Sequence, residues 1–313
     1  MLKCIFLAII YAKQRDRQLI GGLEMNLSTM TGGISRKLGD EKAIKMLAEA
    51  GYDAYDFSFD AHPADSLIYT DDNVDYFKQL RALADSCGIS CNQAHAPAPS
   101  SVGKPDEDEK IYKRIIRSME AAAVLGAKII VVHPVQHLTY AEHPEELFEM
   151  NVKFYKSLIP YCEKFGIKVA VENMWQYNHA GQCITDSTCS RAWEFCKYID
   201  AIDSEWIVGC LDIGHVSLVD RDIPRFIHAM GGKRLQALHV HDTDFRYDLH
   251  TMPFNSKIDY LAVVKALKEI GYQGDFTYEA DSFLEKFPVA LFAETAEFMC
   301  KVGRYLIKQM GED

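Results

Sequence analysis

No CxxC pair, no glycine-rich nucleotide loop, no low-complexity tract and no linker rich in proline, glycine or serine occurs in this 313-residue chain. Each absence closes off a reading. The nine cysteines are scattered, at Cys4, Cys87, Cys91, Cys162, Cys183, Cys189, Cys196, Cys210 and Cys300. An odd, dispersed set in a long chain reads as reduced thiols in a cytoplasmic compartment rather than a disulfide framework. The glycines of TMTGGIS at 29–35 have neither GxGxxG nor Walker spacing, so the stretch reads as a turn. Basic charge is scarce: 34 Lys and Arg against 45 Asp and Glu leave a formal net charge of -11. That argues against a surface that tracks phosphate backbones, and no nucleic-acid partner is expected. Beyond the first residues no segment is long and apolar enough to span a membrane, so no membrane partner is expected either.

What is present is regular. The opening MLKCIFLAIIYAKQRDRQLIGGLE carries a short apolar run after one lysine, like a weak signal-like segment, but lacks a small-residue cleavage site. Residues 1–24 therefore read as an N-terminal extension or a mis-called start, with the first regular element beginning at Met25. From there an amphipathic helix ending at a glycine, then a short β-rich run, recurs: KMLAEAGYDAYDFSF, RALADSCGISCNQAHAP, AAVLGAKIIVVHP, PYCEKFGIKVAVENM and VKALKEIGYQGDFTYEA. This is the signature of repeated αβ units. Strands are expected near 26–30, 53–59, 89–95, 128–133, 168–173, 207–213, 235–242 and 275–280. Helices are expected near 37–50, 72–87, 106–125, 144–165, 188–200, 219–230 and 258–270, with a last one after Pro288. Eight uninterrupted units predict an α/β fold, a single closed (β/α)8 barrel spanning 25–313.

Chemistry in such barrels sits at the carboxyl ends of the strands. There the sequence places His95, His133, Glu172, Asp212 with His215, the pair His239 and His241, and Glu279. Converging carboxylates and imidazoles need compensation, either through raised carboxylate pKa values or through a cation in their midst. Oxygen and imidazole donors without thiolate suit Mn, Co, Mg, Fe or Zn. Glu172, Asp212, His239 and Glu279 come from four successive strands and are the expected shell. Trp175 and Tyr177, just past the fifth strand, are read as stacking on a substrate ring or as ordinary loop packing. The loop 175–187 is long enough for a lid. Asp242 and Asp244 read as orienting histidines or capping a loop.

The series VVHP, VENM, CLDIGH, LHVHD and YEA resembles the xylose isomerase-like TIM barrel superfamily, in its sugar (phosphate) isomerase/epimerase branch. That branch includes D-tagatose 3-epimerase-like enzymes and is related to endonuclease IV. The resemblance implies one divalent metal, Mn, Co, Mg or Zn, on Glu172, Asp212, His239 and Glu279. His239 is preferred to His241 because the family's ligand stands three residues before an acidic residue, here Asp242. It implies that Glu172 and Glu279 move the proton through a metal-stabilised enediolate, and that His215 meets substrate. His95, His133, Trp175 and His241 are the other expected substrate contacts, with His241 nearer the mouth. The expected partner is a sugar or sugar phosphate, and a homo-oligomer is compatible with the sequence.

The related nuclease type implies a different assignment: up to three Zn on His95, His133, Glu172, Asp212, His215, His239, Asp248, His250 and Glu279. A multi-zinc phosphodiesterase or hydrolase is thus the alternative, with Asp248 and His250 as additional metal ligands. A lyase or dehydratase of the same superfamily is a third possibility.

Overall fold

The computed structural model describes residues 19–20, 23–70 and 73–311; the expectation for 1–24 lies largely outside them. The eight expected strands form: β1 Leu27–Thr29, β2 Ala54–Ser58, β3 Ser90–His95, β4 Ile129–Val132, β5 Lys168–Glu172, β6 Ile207–Asp212, β7 Leu235–His239 and β8 Phe276–Tyr278. Strands β2 to β7 pair in parallel in chain order, and β8 pairs with β1. Parallel bridges Met30 to Asp56 and Val240 to Tyr278 join the two sets, closing a (β/α)8 barrel without a free edge.

Around it lie α1 Asp40–Ala50, α2 Val74–Cys87, α3 Pro105–Leu125, α4 Pro144–Phe165, α5 Ala192–Ile202, α6 Ile223–Arg234, α7 Tyr260–Glu269 and α8 Phe292–Gly311. The helix-then-glycine pattern has its expected cause: α3, for example, stops at Gly126, whose φ of 103° is one that side chains avoid. Alternation along the strands then sorts the side chains. Ile130, Val132, Val169 and Val171 face the helices in the main core, while Val131, Ala170, Val208, Cys210 and Ala237 form a small separate core inside the barrel. Continuing the inner series by two residues reaches His133, Glu172, Asp212 and His239, so the period of two carries these polar groups into the barrel mouth.

Three local readings are corrected. TMTGGIS is no turn: Gly32–Leu38 is a short helix, broken from α1 by Gly39. A helix starts at Ile213, directly after β6, because Asp212 caps it by accepting the His215 amide at 2.6 Å. The expected loop after β5 contains a β-hairpin, Trp175–Asn178 against Cys183–Asp186. Among the described residues no helix is long and apolar enough to cross a membrane.

Candidate metal centre and cleft

At the centre of the mouth, the His239 Nδ1 lies 3.3 Å from Glu172 Oε1 and 3.0 Å from Glu279 Oε2. One ligand atom from each of Glu172, Asp212, His239 and Glu279 falls within 4.8 Å of the other three. Asn173 builds this arrangement from behind. Its amide donates to the Asp212 carbonyl and accepts the Asp212 N–H, at 2.9 and 2.8 Å, and its own carbonyl faces His215 Nδ1 at 2.8 Å. Glu172, Asp212 and His239 are wholly buried.

Buried polar atoms without partners are costly, and here several converge. His239 Nε2, His241 Nδ1 and Asp248 Oδ1 have no hydrogen-bond partner, and Glu172 Oε2 and Glu279 Oε2 meet only imidazole nitrogens, at 3.1 and 3.0 Å. Three carboxylates and one imidazole, with lone pairs left over, fit a hard or borderline divalent cation.

A second group stands beside the first. His215, His241, Asp248 and His250 also offer one ligand atom each within 4.8 Å. Asp248 Oδ2 lies 3.3 Å from His215 Nε2 and 3.0 Å from His250 Nε2. His241 stacks flat on His250, with ring centroids 4.1 Å apart, and its Nε2 is 3.0 Å from Asp212 Oδ1. The ring fits because residue 214 is glycine: a Cβ there would lie 1.9 Å from the His241 ring. His95, His133 and Glu172 make a third group, with His95 and His133 Nε2 atoms 3.0 Å apart and His133 Nε2 3.1 Å from Glu172 Oε2.

The electrostatics are mutual. Burial pushes the Glu172 carboxyl up, but His239 and His133 outweigh it and hold it well below the usual range. Glu279 is likewise lowered, with His239 overcoming burial. Burial opposes charge on His95 and His250, yet Glu172 raises the first to about 9 and Asp248 the second to about 10. His215 is raised against its burial by Asp212 first and Asp248 second, and Asp248 is lowered against its burial by His215.

A cleft of about 360 Å³ opens onto these groups, lined by His133, Glu172, Trp175, His215, Asp248, His250 and Glu279 among others. The expected substrate contacts divide accordingly. His133, His215 and Trp175 line the cleft, whereas His95 and His241 are buried behind it. His241 is held in the Gly214 cradle, stacked on the cleft-lining His250. Trp175 Nε1 donates to Asp248 Oδ2 at 3.1 Å, so the hairpin forms one wall. Gln176 ties that hairpin to the loop after β4, donating to the Gln136 and Leu138 carbonyls at 3.1 and 2.8 Å. Asp242 is a loop cap, accepting the amides of Thr243, Ser256, Lys257 and Ile258. His228, on α6 outside the barrel, pairs with Glu269 on the surface.

Two residues escaped the sequence reading. Asp56, buried on β2, has Oδ2 3.5 Å from His239 Nε2, and Gln93 donates to the same oxygen at 2.7 Å. The available signal was parity: Asp56 and Gln93 share the inward face with Ser58 and His95.

The family model described as xylose isomerase-like TIM barrel matches residues 44–302. An uncharacterised protein of Methanocaldococcus jannaschii is 23% identical over 245 residues, 76% of this chain and 78% of its own length. The probable endonuclease 4 of Streptomyces coelicolor is 24% identical over 181 residues, 53% of this chain and 59% of that protein. Among solved structures, a D-tagatose 3-epimerase-like protein aligns with a TM-score of 0.70 and 20% identity, covering 91% of this chain and 99% of that one. The 3-keto-D-glucoside 4-epimerase of E. coli gives 0.69 and 17%, over 89% and 100%. The IolI protein with a bound zinc atom gives 0.69 and 19%, over 91% and 99%. At such identities the structural likeness speaks to fold alone. The family match, which spans most of the sequence, says more: the chain belongs to the xylose isomerase-like TIM barrel family.

Proposed function

We propose that this chain, through a barrel domain of residues 25–313, is a divalent-metal-dependent isomerase or epimerase of a sugar or sugar phosphate. The observation that carries the reading is the convergence of Glu172, Asp212, His239 and Glu279, with both glutamates also on the cleft wall. Glu172, Asp212, His239 and Glu279 would hold the metal. When bound, the ion supplies Lewis-acid charge that stabilises negative charge developing on the sugar oxygens.

The protein's own groups supply the rest. Glu172 and Glu279 are kept ionised by their imidazole neighbours, the state a general base needs. One takes the proton beside the ketose carbonyl and later releases it to solvent; the other, three strands further round the barrel, delivers to the opposite face a proton it has drawn from solvent. His133 and His215 face the substrate's hydroxyls, and Trp175 shields the cleft from water. The epimerases among the structural neighbours favour this chemistry over others the fold supports.

Glu172→Gln and Glu279→Gln should each abolish incorporation of solvent deuterium into ketose substrates, screened free and phosphorylated after reconstitution with Mn, Co, Mg or Zn. Undiminished exchange in both would sink the assignment. A second reading rests on the neighbouring His215, His241, Asp248 and His250 group: a hydrolase with two or three zinc ions. Metal content after mild purification separates the two, one ion favouring the isomerase and two or three the hydrolase.

A further inference from the structure

Helix α8 is charged over much of its outer surface, as a helix on the outside of a barrel should be. Three large apolar side chains interrupt it at intervals of seven. Leu291, just before the helix, Phe298 and Tyr305 are 45%, 53% and 47% exposed. Seven residues make nearly two full turns, so they line up as one stripe of about 21 Å. Neighbours widen it. The Phe254 ring, itself half exposed, lies 6.1 Å from that of Tyr305. Leu261, on the adjoining α7 and next in sequence to Tyr260, whose ring lies 6.3 Å from that of Phe254, is also exposed. Exposed apolar patches of this kind mark contact sites.

Charge along the stripe identifies what covers it. Glu294 and Lys301 stand three residues beyond Leu291 and Phe298, on the same edge, and both are exposed. A two-fold axis passing beside Phe298 sets Phe298 against its own copy and Leu291 against Tyr305. The same rotation brings Glu294 opposite Lys301, twice. Self-matching under a two-fold is what an isologous contact requires. Lys301 already lies 2.8 Å from Glu297 on its own helix, so the copy's Glu294 joins an existing exposed pair.

We infer that a second copy of this chain docks here, α8 against α8 in antiparallel orientation. A stable dimer buries roughly 800 Å² per partner, more than three side chains supply, and Phe254 and Leu261 extend the contact. The competing occupant is the N-terminal segment, because Leu19–Ile20 runs beside α8 and the apolar CIFLAIIYA precedes it.

Sedimentation velocity on the full-length chain tests this. The expected result is a dimer at micromolar concentration that Phe298→Glu converts to a monomer with an unchanged circular dichroism spectrum. Glu294→Lys and Lys301→Glu should each weaken association about tenfold, and the double exchange should restore it. A full-length chain that stays monomeric at about 100 μM overturns the inference, as does a dimer indifferent to Phe298→Glu and to the charge exchange. A chain beginning at Met25 that dimerises where the full-length chain does not assigns the stripe to the N-terminal segment and overturns it equally.

Discussion

Two of the acid and imidazole groups in the barrel mouth, the one around His239 and the one around Asp248, touch, yet they are built differently. In the first, three carboxylates surround one imidazole, and Glu172, Asp212 and His239 stand at the ends of β5, β6 and β7, with Glu279 one residue beyond β8. In the second, one carboxylate meets three imidazoles, and Asp248 and His250 come from an irregular loop in which Phe245 and His250 have positive φ. Oxygen-rich donors suit hard cations, and nitrogen-rich donors suit zinc. Under the proposed function the first group would hold the cation and move protons, and the second, with Asp248 and His250 on the loop, would contact the substrate.

The sharpest way to break this contrast is to remove one acid from each group. Glu172→Gln should lower turnover by about 10³-fold or more, because a proton-transfer group and a proposed ligand are lost together. Asp248→Asn should mainly raise KM and leave the bound-metal count at one. If Asp248→Asn instead removes an ion, measured by elemental analysis beside activity, the second group is a metal site in its own right.

A smaller effect probes what sits behind the first group. Asp56 faces the far nitrogen of His239, the position from which a carboxylate fixes the tautomer and angle of a metal-binding imidazole. Asp56→Asn keeps the shape and removes the charge. Metal affinity measured by calorimetric titration should fall about tenfold or more, with no matching change for His250→Ala. Equal affinities in Asp56→Asn and the parent would leave Asp56 as a packing residue.

This contrast also explains what the sequence made readable. His133, Glu172, Asp212 and His239 were legible because each ends a strand, or in His133's case follows one by a residue, whose inner face repeats every two residues, and strand order alone makes them neighbours. Asp248 and His250 had no such periodicity, and only the resemblance to a nuclease family drew them in. Asp56 was hidden within YDAYDFSF, where an apolar run reads as a buried strand without saying which face carries an acid. The hairpin at 175–186 was missed because its short, polar, half-exposed strands are held by distant partners such as Gln136, which local patterning does not reveal. Helix 213–219 was missed because Asp212 serves twice, closing a strand and capping a helix.

The smallest effect concerns the hairpin's foundation rather than the groups it covers. Glu194, 4% exposed at the start of α5, accepts the Tyr140 hydroxyl at 2.8 Å and the Cys189 amide at 3.0 Å. Tyr140 in turn donates its amide to Gln176 of the hairpin at 2.9 Å. Burial raises the Glu194 carboxyl from 4.5 to about 7, although Tyr140 and the Cys189 amide pull it back. Between those values the folded protein keeps a proton that the unfolded chain releases. The resulting stability is therefore fully present below pH 4.5 and is lost as pH rises to about 7. The loss is on the order of 3 kcal/mol. Glu194→Gln carries no such proton, so the stability difference between parent and variant, taken from urea denaturation across this range, should shift toward the variant as pH rises. Parallel pH profiles would mean that Glu194 is already ionised in the folded protein, and that the hydrogen bonds from Tyr140 and Cys189 outweigh its burial.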